Sequence, residues 1–189
     1  ERPRPEAERP RKDATLSHRL IDSKRLFSGP IFDVERDHLR DDSGYDFLRD
    51  IVRHPGGAGG LPLFDDGRVA LVSQYRHPAR RTLLEIPAGR IEPGETAEQC
   101  AAREIEAEVG SRPGKLTKVA EFFSTPGFCE EKLHVYLATE LTPSSQSLDP
   151  DEIVEIVYLP VREAIDLART GQIEDSKTII TLLLVADLI

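Results

Sequence analysis

The chain has 189 residues, with 34 Asp and Glu against 25 Lys and Arg, a formal charge of -9 and a pI near 5.1. This length fits one domain of ordinary size, with or without a small appendage, and is enough to bury a real core. So acidic a chain is a poor partner for DNA or RNA, whose backbones are bound through clustered Lys and Arg, and a phosphate-bearing substrate would need a divalent metal to approach it.

Glu1 to Lys12 alternates Pro with charged residues and offers nothing to bury, so residues 1–17 are expected to form a disordered tail. Residues 18–57 carry short β-type runs, with turn signals at Gly29-Pro30 and Ser43-Gly44. They predict a small antiparallel sheet, too thin to stand alone, that packs on the main domain or on a second subunit. Gly56 to Gly60 reads as a hinge into a main domain over 58–189. There Asp66-Gly67 between apolar runs marks a hairpin. TLLEIPAG, a helix over Thr96 to Val109, the strand-like KVAEFFSTPGF, the alternating LHVYLATEL, a Ser/Pro/Asp loop and IVEIVYLP follow. Two helices close the chain, around Arg162 to Arg169 and Ser176 to Leu188. Strands with helices inserted between them predict an α/β (α+β) fold, an α/β/α sandwich with a mixed sheet.

Cys100 and Cys129 are too few for a disulfide framework and have no metal-ligand spacing. They read as packing residues, in a protein expected in a reducing cytoplasm. The longest apolar run, Ile179 to Ile189, falls short of the roughly 20 residues of a membrane span and carries Asp187, so it reads as a core helix. The N-terminal residues show no apolar region of the signal-peptide type. No membrane partner is expected.

Gly89 to Gly110 is the informative segment. Thr96 and Gln99 form a capping box, and Gly110 stands where a helix C-cap belongs. Ala97, Ala101, Ile105 and Val109 share one face. Glu104 and Glu108, four residues apart, project side by side from another, a like-charge pair that costs an isolated helix a few tenths of a kcal/mol. A solvated acidic face relieved by Arg103 is one account of the pair. Divalent metal binding is the other, favoured by the nearby Glu95 and Glu106, the upstream Glu85 and the glycine-flanked loop, because hard oxygen ligands suit Mg²⁺ or Mn²⁺.

The spacing G-x5-E-x7-R-E-U-x-E-E-x-G-U, with U aliphatic, is met by Gly89, Glu95, Arg103, Glu104, Ile105, Glu108 and Gly110. In this the chain resembles the Nudix hydrolases, which cleave nucleoside diphosphates linked to another moiety. Ala107 replaces the first Glu of the E-E pair and Ser111 the final aliphatic residue. LLEIPAG, QYRHP and STPGFCEEKLHVYLA, with Pro126 placed 15 residues after Ser111, resemble the ADP-ribose pyrophosphatase branch.

The resemblance implies Mg²⁺, with Mn²⁺ as a substitute, held by the Ala88 carbonyl, Glu104 and Glu108, with Glu85 and Glu95 near the cluster. It implies Arg76 and Arg53 facing phosphates or ribose, Glu152 as a mobile catalytic glutamate, and Glu131 in support. Each has a plainer alternative: the arginines as surface ion pairs, Glu152 with Asp151 as a loop cap, Pro126 as a turn former. Adenine would need an aromatic face, and Phe27, Phe32, Tyr45 and Phe47 would have to serve, although all four are more safely read as core residues. The branch implies an N-terminal sheet exchanged within a homodimer. Hydrolysis of ADP-ribose to AMP and ribose 5-phosphate is the implied activity. The alternatives are another nucleoside diphosphate sugar such as GDP-mannose, or a degenerate nucleotide-binding domain without turnover, for which Ala107 speaks.

Overall fold

The computed structural model describes residues 18–148 and 152–189; the tail expected over 1–17, and Asp151, lie outside the described residues. β1 (His18–Ser28), β2 (Asp33–Asp41) and β3 (Asp46–Arg53) form an antiparallel meander whose turns fall at the two expected places. At the second, the Asp41 carboxylate accepts from the Ser43 and Tyr45 amides at 2.8 and 3.0 Å, an Asx-type turn.

Next come β4 (Gly57–Pro62), β5 (Arg68–Arg76), β6 (Arg81–Glu85), β7 (Ala88–Arg90), α1 (Ala97–Val109), β8 (Ser111–Arg112), β9 (Lys115–Phe123), β10 (Lys132–Thr139), β11 (Thr142–Pro143), β12 (Val154–Pro160), α2 (Val161–Arg169) and α3 (Ser176–Val185). One sheet has the order β7-β4-β10-β9, with β4 and β10 parallel, and another the order β12-β5-β6. The mixed sheet expected from sequence is present.

Alternation along the strands sorts the core into layers. Leu61, Val69, Leu71, Val135 and Leu137 pack with Ala164, Ile165, Leu182 and Val185 of α2 and α3. The intervening Ala70, Val72 and Tyr136 pack instead toward α1, against Val109 or against Cys100 and Ala101. Helices therefore cover both sheet faces. Cys100 is buried and packs here as expected, and burial pushes its thiol up to about 12.

Two readings of the sequence change. Gly56–Gly60 is not a hinge, because from Gly57 onward it is β4, a strand buried along its whole length. A Cβ at Gly59 would collide with the Ala88 side chain and the Pro87 carbonyl, and one at Gly60 would stand 2.9 Å from Ile105 Cδ1. The glycines serve close approach of backbone and helix rather than flexibility. The run Ile179–Ile189 is a core helix only on one side: Leu182 and Val185 are buried, the helix ends at Val185, and Leu183, Leu184, Leu188 and Ile189 are exposed. No helix among the described residues is long and apolar enough to cross a membrane.

The N-terminal sheet joins the rest through the loop between β9 and β10. The Val52 amide donates to the Phe128 carbonyl at 2.8 Å, and the Glu130 amide donates to the Val52 carbonyl at 3.1 Å.

Gly59→Ala is expected to cost about 1–3 kcal/mol through overpacking, whereas Gly127→Ala, with open space around its Cβ, should stay within about 0.5 kcal/mol. Urea unfolding of the two variants measures the contrast.

Candidate active site

The turn from β7 leads through a short loop into α1, whose start is set by the capping box of Thr96 and Gln99 and whose end is set by Gly110 at φ 67°. This fixes the rotation of the helix, and it points Glu104 and Glu108 inward: they are only 8% and 4% exposed. Space for them comes from glycine, since a Cβ on Gly89 would strike the Glu104 carboxyl group. Burial, with the Arg103 charge opposing and those of Glu152 and Glu95 adding, raises the proton affinity of Glu104. For Glu108 burial acts first and the Glu104 and Glu152 charges reinforce it, while the Ala88 backbone hydrogen bond and Lys177 oppose. Its pKa is pushed up to about 8. Glu152, just ahead of β12, therefore lies close enough to be felt by both helix glutamates.

Two other carboxylates of the segment, Glu95 and Glu106, have cations of their own. Glu95 receives Arg103 Nε at 2.8 Å and Nη2 at 3.0 Å, and the Arg103 hydrogen bonds hold its carboxyl down at about 2. Arg103 Nη1 reaches Glu104 Oε1 at 2.6 Å, so this one guanidinium orients both acids. Glu106 turns away to Arg112 and Ser144, as its helical position requires.

Glu85 is 1% exposed and is gripped by a fork from Arg76, with Nε and Nη2 each 2.7 Å from a carboxylate oxygen. Lys177 Nζ bonds the same carboxylate. Burial favours its neutral form, but the Arg76 hydrogen bonds and Lys177 outweigh burial and hold the carboxyl below its ordinary value. Glu85 is thus engaged by cations. Arg76 feels the charge of Glu108, so it lies within electrostatic reach of that carboxylate. Lys177, held by Asp175, had no signal in the sequence beyond a helix N-cap, because its partner Glu85 stands 92 positions away.

Arg53 ends β3 and bonds Glu35 at 2.9 Å, Asp37 at 2.8 Å and Glu130 at 3.0 Å. Here it ties the N-terminal sheet to the loop that also holds Pro126, a turn residue, and Glu131, whose carboxylate lies 3.7 Å from His54 Nδ1. Phe32 is 40% exposed and leans on Phe27 with ring centroids 6.0 Å apart, beside the Pro30 carbonyl that accepts from Arg90 at 2.7 Å. Aromatic faces are thus available at the edge of the loop before α1.

Among the described residues no three Asp, Glu, His or Cys side chains converge to hold a metal ion by themselves. Two buried carboxylates whose proton affinities are both raised, with a backbone strand closely packed on them, nevertheless fit a divalent cation that retains water and takes substrate oxygens for its remaining positions. Ala88, Glu104 and Glu108 would hold it.

Known proteins are similar to this chain over most of its length. The NUDIX domain profile matches residues 53–182. The ADP-ribose pyrophosphatase of Bacillus subtilis (strain 168) is 38% identical over 166 residues, covering 87% of this chain and 90% of that protein. The methanol dehydrogenase activator of Bacillus methanolicus is 33% identical over 167 residues, again covering 87% and 90%. A crystal structure of an ADP compounds hydrolase superposes with a TM-score of 0.80 at 21% identity, covering 93% of this chain and 96% of that one, a likeness of fold.

A carboxyl whose folded pKa is raised stabilises the protein below its ordinary value of 4.5, and that stability is lost as pH rises through about 8. In the presence of a chelator, Glu108→Gln should therefore become progressively more stable than the parent between about pH 5 and pH 8. Parallel urea midpoints for the two proteins across that range would contradict the assignment.

Proposed function

We propose, because the chain belongs to the NUDIX family, that it is a metal-dependent pyrophosphohydrolase that cleaves ADP-ribose to AMP and ribose 5-phosphate, with Mg²⁺ as its metal and Mn²⁺ as a substitute. The observation that carries this reading is the buried pair Glu104 and Glu108 on α1, with Glu152 near both and Arg76 alongside. The ADP-ribose pyrophosphatase relative, matched over most of both chains, supports the substrate.

A bound divalent cation neutralises the pyrophosphate and acidifies the attacking water. The protein's own groups do the rest. Glu104 and Glu108, with the Ala88 carbonyl, hold the cation. Glu152 accepts the proton of the attacking water. Arg76 offers a phosphate oxygen the donors that Glu85 leaves unused, since a guanidinium carries five N–H groups and the fork occupies two. Arg53 and Glu131 line the substrate side, Pro126 shapes the loop between them, and Phe32 provides a face for adenine. Glu95 acts through Arg103, and Glu85 through Arg76.

The functional unit is a homodimer. The N-terminal sheet exposes Leu20, Leu26, Phe27, Ile31, Phe32, Tyr45 and Leu48, and β1 is exposed along its whole length. Such a concentration of apolar surface on one thin sheet calls for a partner, and a second copy supplies it. A cytoplasmic setting, without nucleic-acid partners, suits the acidic charge and the two free thiols.

With ADP-ribose and Mg²⁺ the protein should release AMP, and Glu152→Gln should lower kcat by about 10²–10⁴ with little change in KM; a parent protein that forms no AMP refutes the reading. In competition among ADP-ribose, GDP-mannose and ADP-glucose, ADP-ribose should be consumed first. Sedimentation equilibrium should give twice the chain mass, falling toward the single-chain mass in Leu48→Glu.

A further inference from the structure

Arg76 closes β5 and Glu85 closes β6, and the fork between them sets the plane of the guanidinium. A carboxylate that is 1% exposed cannot hold this post unaided, because burial drives it toward its neutral, weakly accepting form. The second cation on it, Lys177, comes from the first turn of α3. Lys177 is itself almost enclosed and is steered by Asp175, whose Oδ1 lies 3.0 Å from Nζ. The other Asp175 oxygen accepts from the Thr178 amide at 2.9 Å and from its hydroxyl. The same Thr178 hydroxyl receives the Ile86 amide at 2.8 Å, one residue beyond Glu85. The α3 N-terminus is thereby pinned to the strand end that carries Glu85, both by charge and by a buried hydrogen bond.

We propose that Lys177 is a positioning residue for substrate binding: held by Asp175, it keeps the Glu85 carboxylate in place, and Glu85 in turn aims Arg76 at the substrate's phosphates. The inference deepens the hydrolase reading and rests on it for the identity of the substrate. Two features support a relay rather than a direct phosphate contact. Lys177 spends two of its three N–H donors on Glu85 and Asp175, whereas Arg76 is 40% exposed and keeps donors free. The C-terminal helix is therefore part of the binding apparatus as well as a layer of the core.

Steady-state kinetics with ADP-ribose and Mg²⁺ on Lys177→Met, Lys177→Arg and Asp175→Asn, each in the native and in an Arg76→Met background, tests the relay. In the native background Lys177→Met should raise KM about tenfold with kcat within about threefold, the signature of lost ground-state binding. Lys177→Arg should restore most of the loss, and Asp175→Asn, which keeps the helix cap, should raise KM about threefold. In the Arg76→Met background none of the three should move KM further, because the effect passes through Arg76. An equal KM rise in that background, or no rise in the native one, overturns the proposal. Should Lys177→Met fail to fold, Asp175→Asn decides by the same two criteria. If the parent hydrolyses no ADP-ribose, it is the proposed activity that fails, and the positioning role is judged by the Arg76 Nε–H NMR resonance. Retention of this signal in the parent and in Lys177→Arg, with loss or fast exchange in Lys177→Met or Asp175→Asn, supports the relay; an unchanged signal in Lys177→Met or Asp175→Asn overturns it.

Discussion

The site is organised by the burial of two carboxylates on one turn of one helix. Glu104 and Glu108 repel each other and lose their water, and burial together with this repulsion pushes Glu108 up to about 8. Such an arrangement is tolerable only where neighbouring atoms are fixed. Gly89 gives room for the Glu104 carboxyl group, the glycines of β4 let β7 and α1 sit close, and the caps at Thr96 and Gly110 hold the helix rotation. A looser helix would let both side chains swing to solvent, and the unfavourable field that suits a divalent cation would disappear.

Around this pair the chain sorts its many acids by whether they receive a cation of their own. Glu95 has Arg103, Glu106 has Arg112, and Glu85 has Arg76 and Lys177. Among the described residues Glu108 has no ion-pair partner of this kind, and Glu104 shares Arg103 with Glu95. The overall charge of -9 therefore says little about where a metal would bind. The position is set by which carboxylates remain unneutralised. Spatially, the acidic helix lies within electrostatic reach of an ion-pair cluster built from β5, β6 and the start of α3, in which Arg76 is the partly exposed cation.

The N-terminal sheet follows a different logic. It contributes little buried apolar area within its own chain and meets the loop between β9 and β10 through two backbone hydrogen bonds at Val52 and the Arg53–Glu130 ion pair, the other two Arg53 pairs lying within the sheet on Glu35 and Asp37. Those contacts end on Glu130, beside Glu131 and in the loop that holds Pro126, so the position of this loop and that of the sheet are linked. Arg53 has every donor nitrogen engaged by a carboxylate, unlike Arg76, and this separates two arginines that look alike in the sequence.

Local signals were legible in the residues themselves. The capping box, the C-cap glycine, the Asp66-Gly67 turn, the two turns of the N-terminal meander and the spacing of Glu104 and Glu108 are all set within a few positions, where short-range sterics and hydrogen bonding dominate. The spacing also carried the family resemblance, since it records the period of a helix and the reach of its side chains. Gly56 to Gly60 misled because a glycine run has the same composition whether it flexes or accommodates a close neighbour. Only the packing of β4 under α1 decides between the two. The partners of Glu85 were likewise invisible. Arg76 lies nine positions away and Lys177 92 positions away, and nothing periodic links them. Sequence alone determined which carboxylates share a helix face. The tertiary structure decided which of them are neutralised, because ion pairing depends on distance in space, and the fold sets that distance by bringing β5, β6 and the start of α3 to one point.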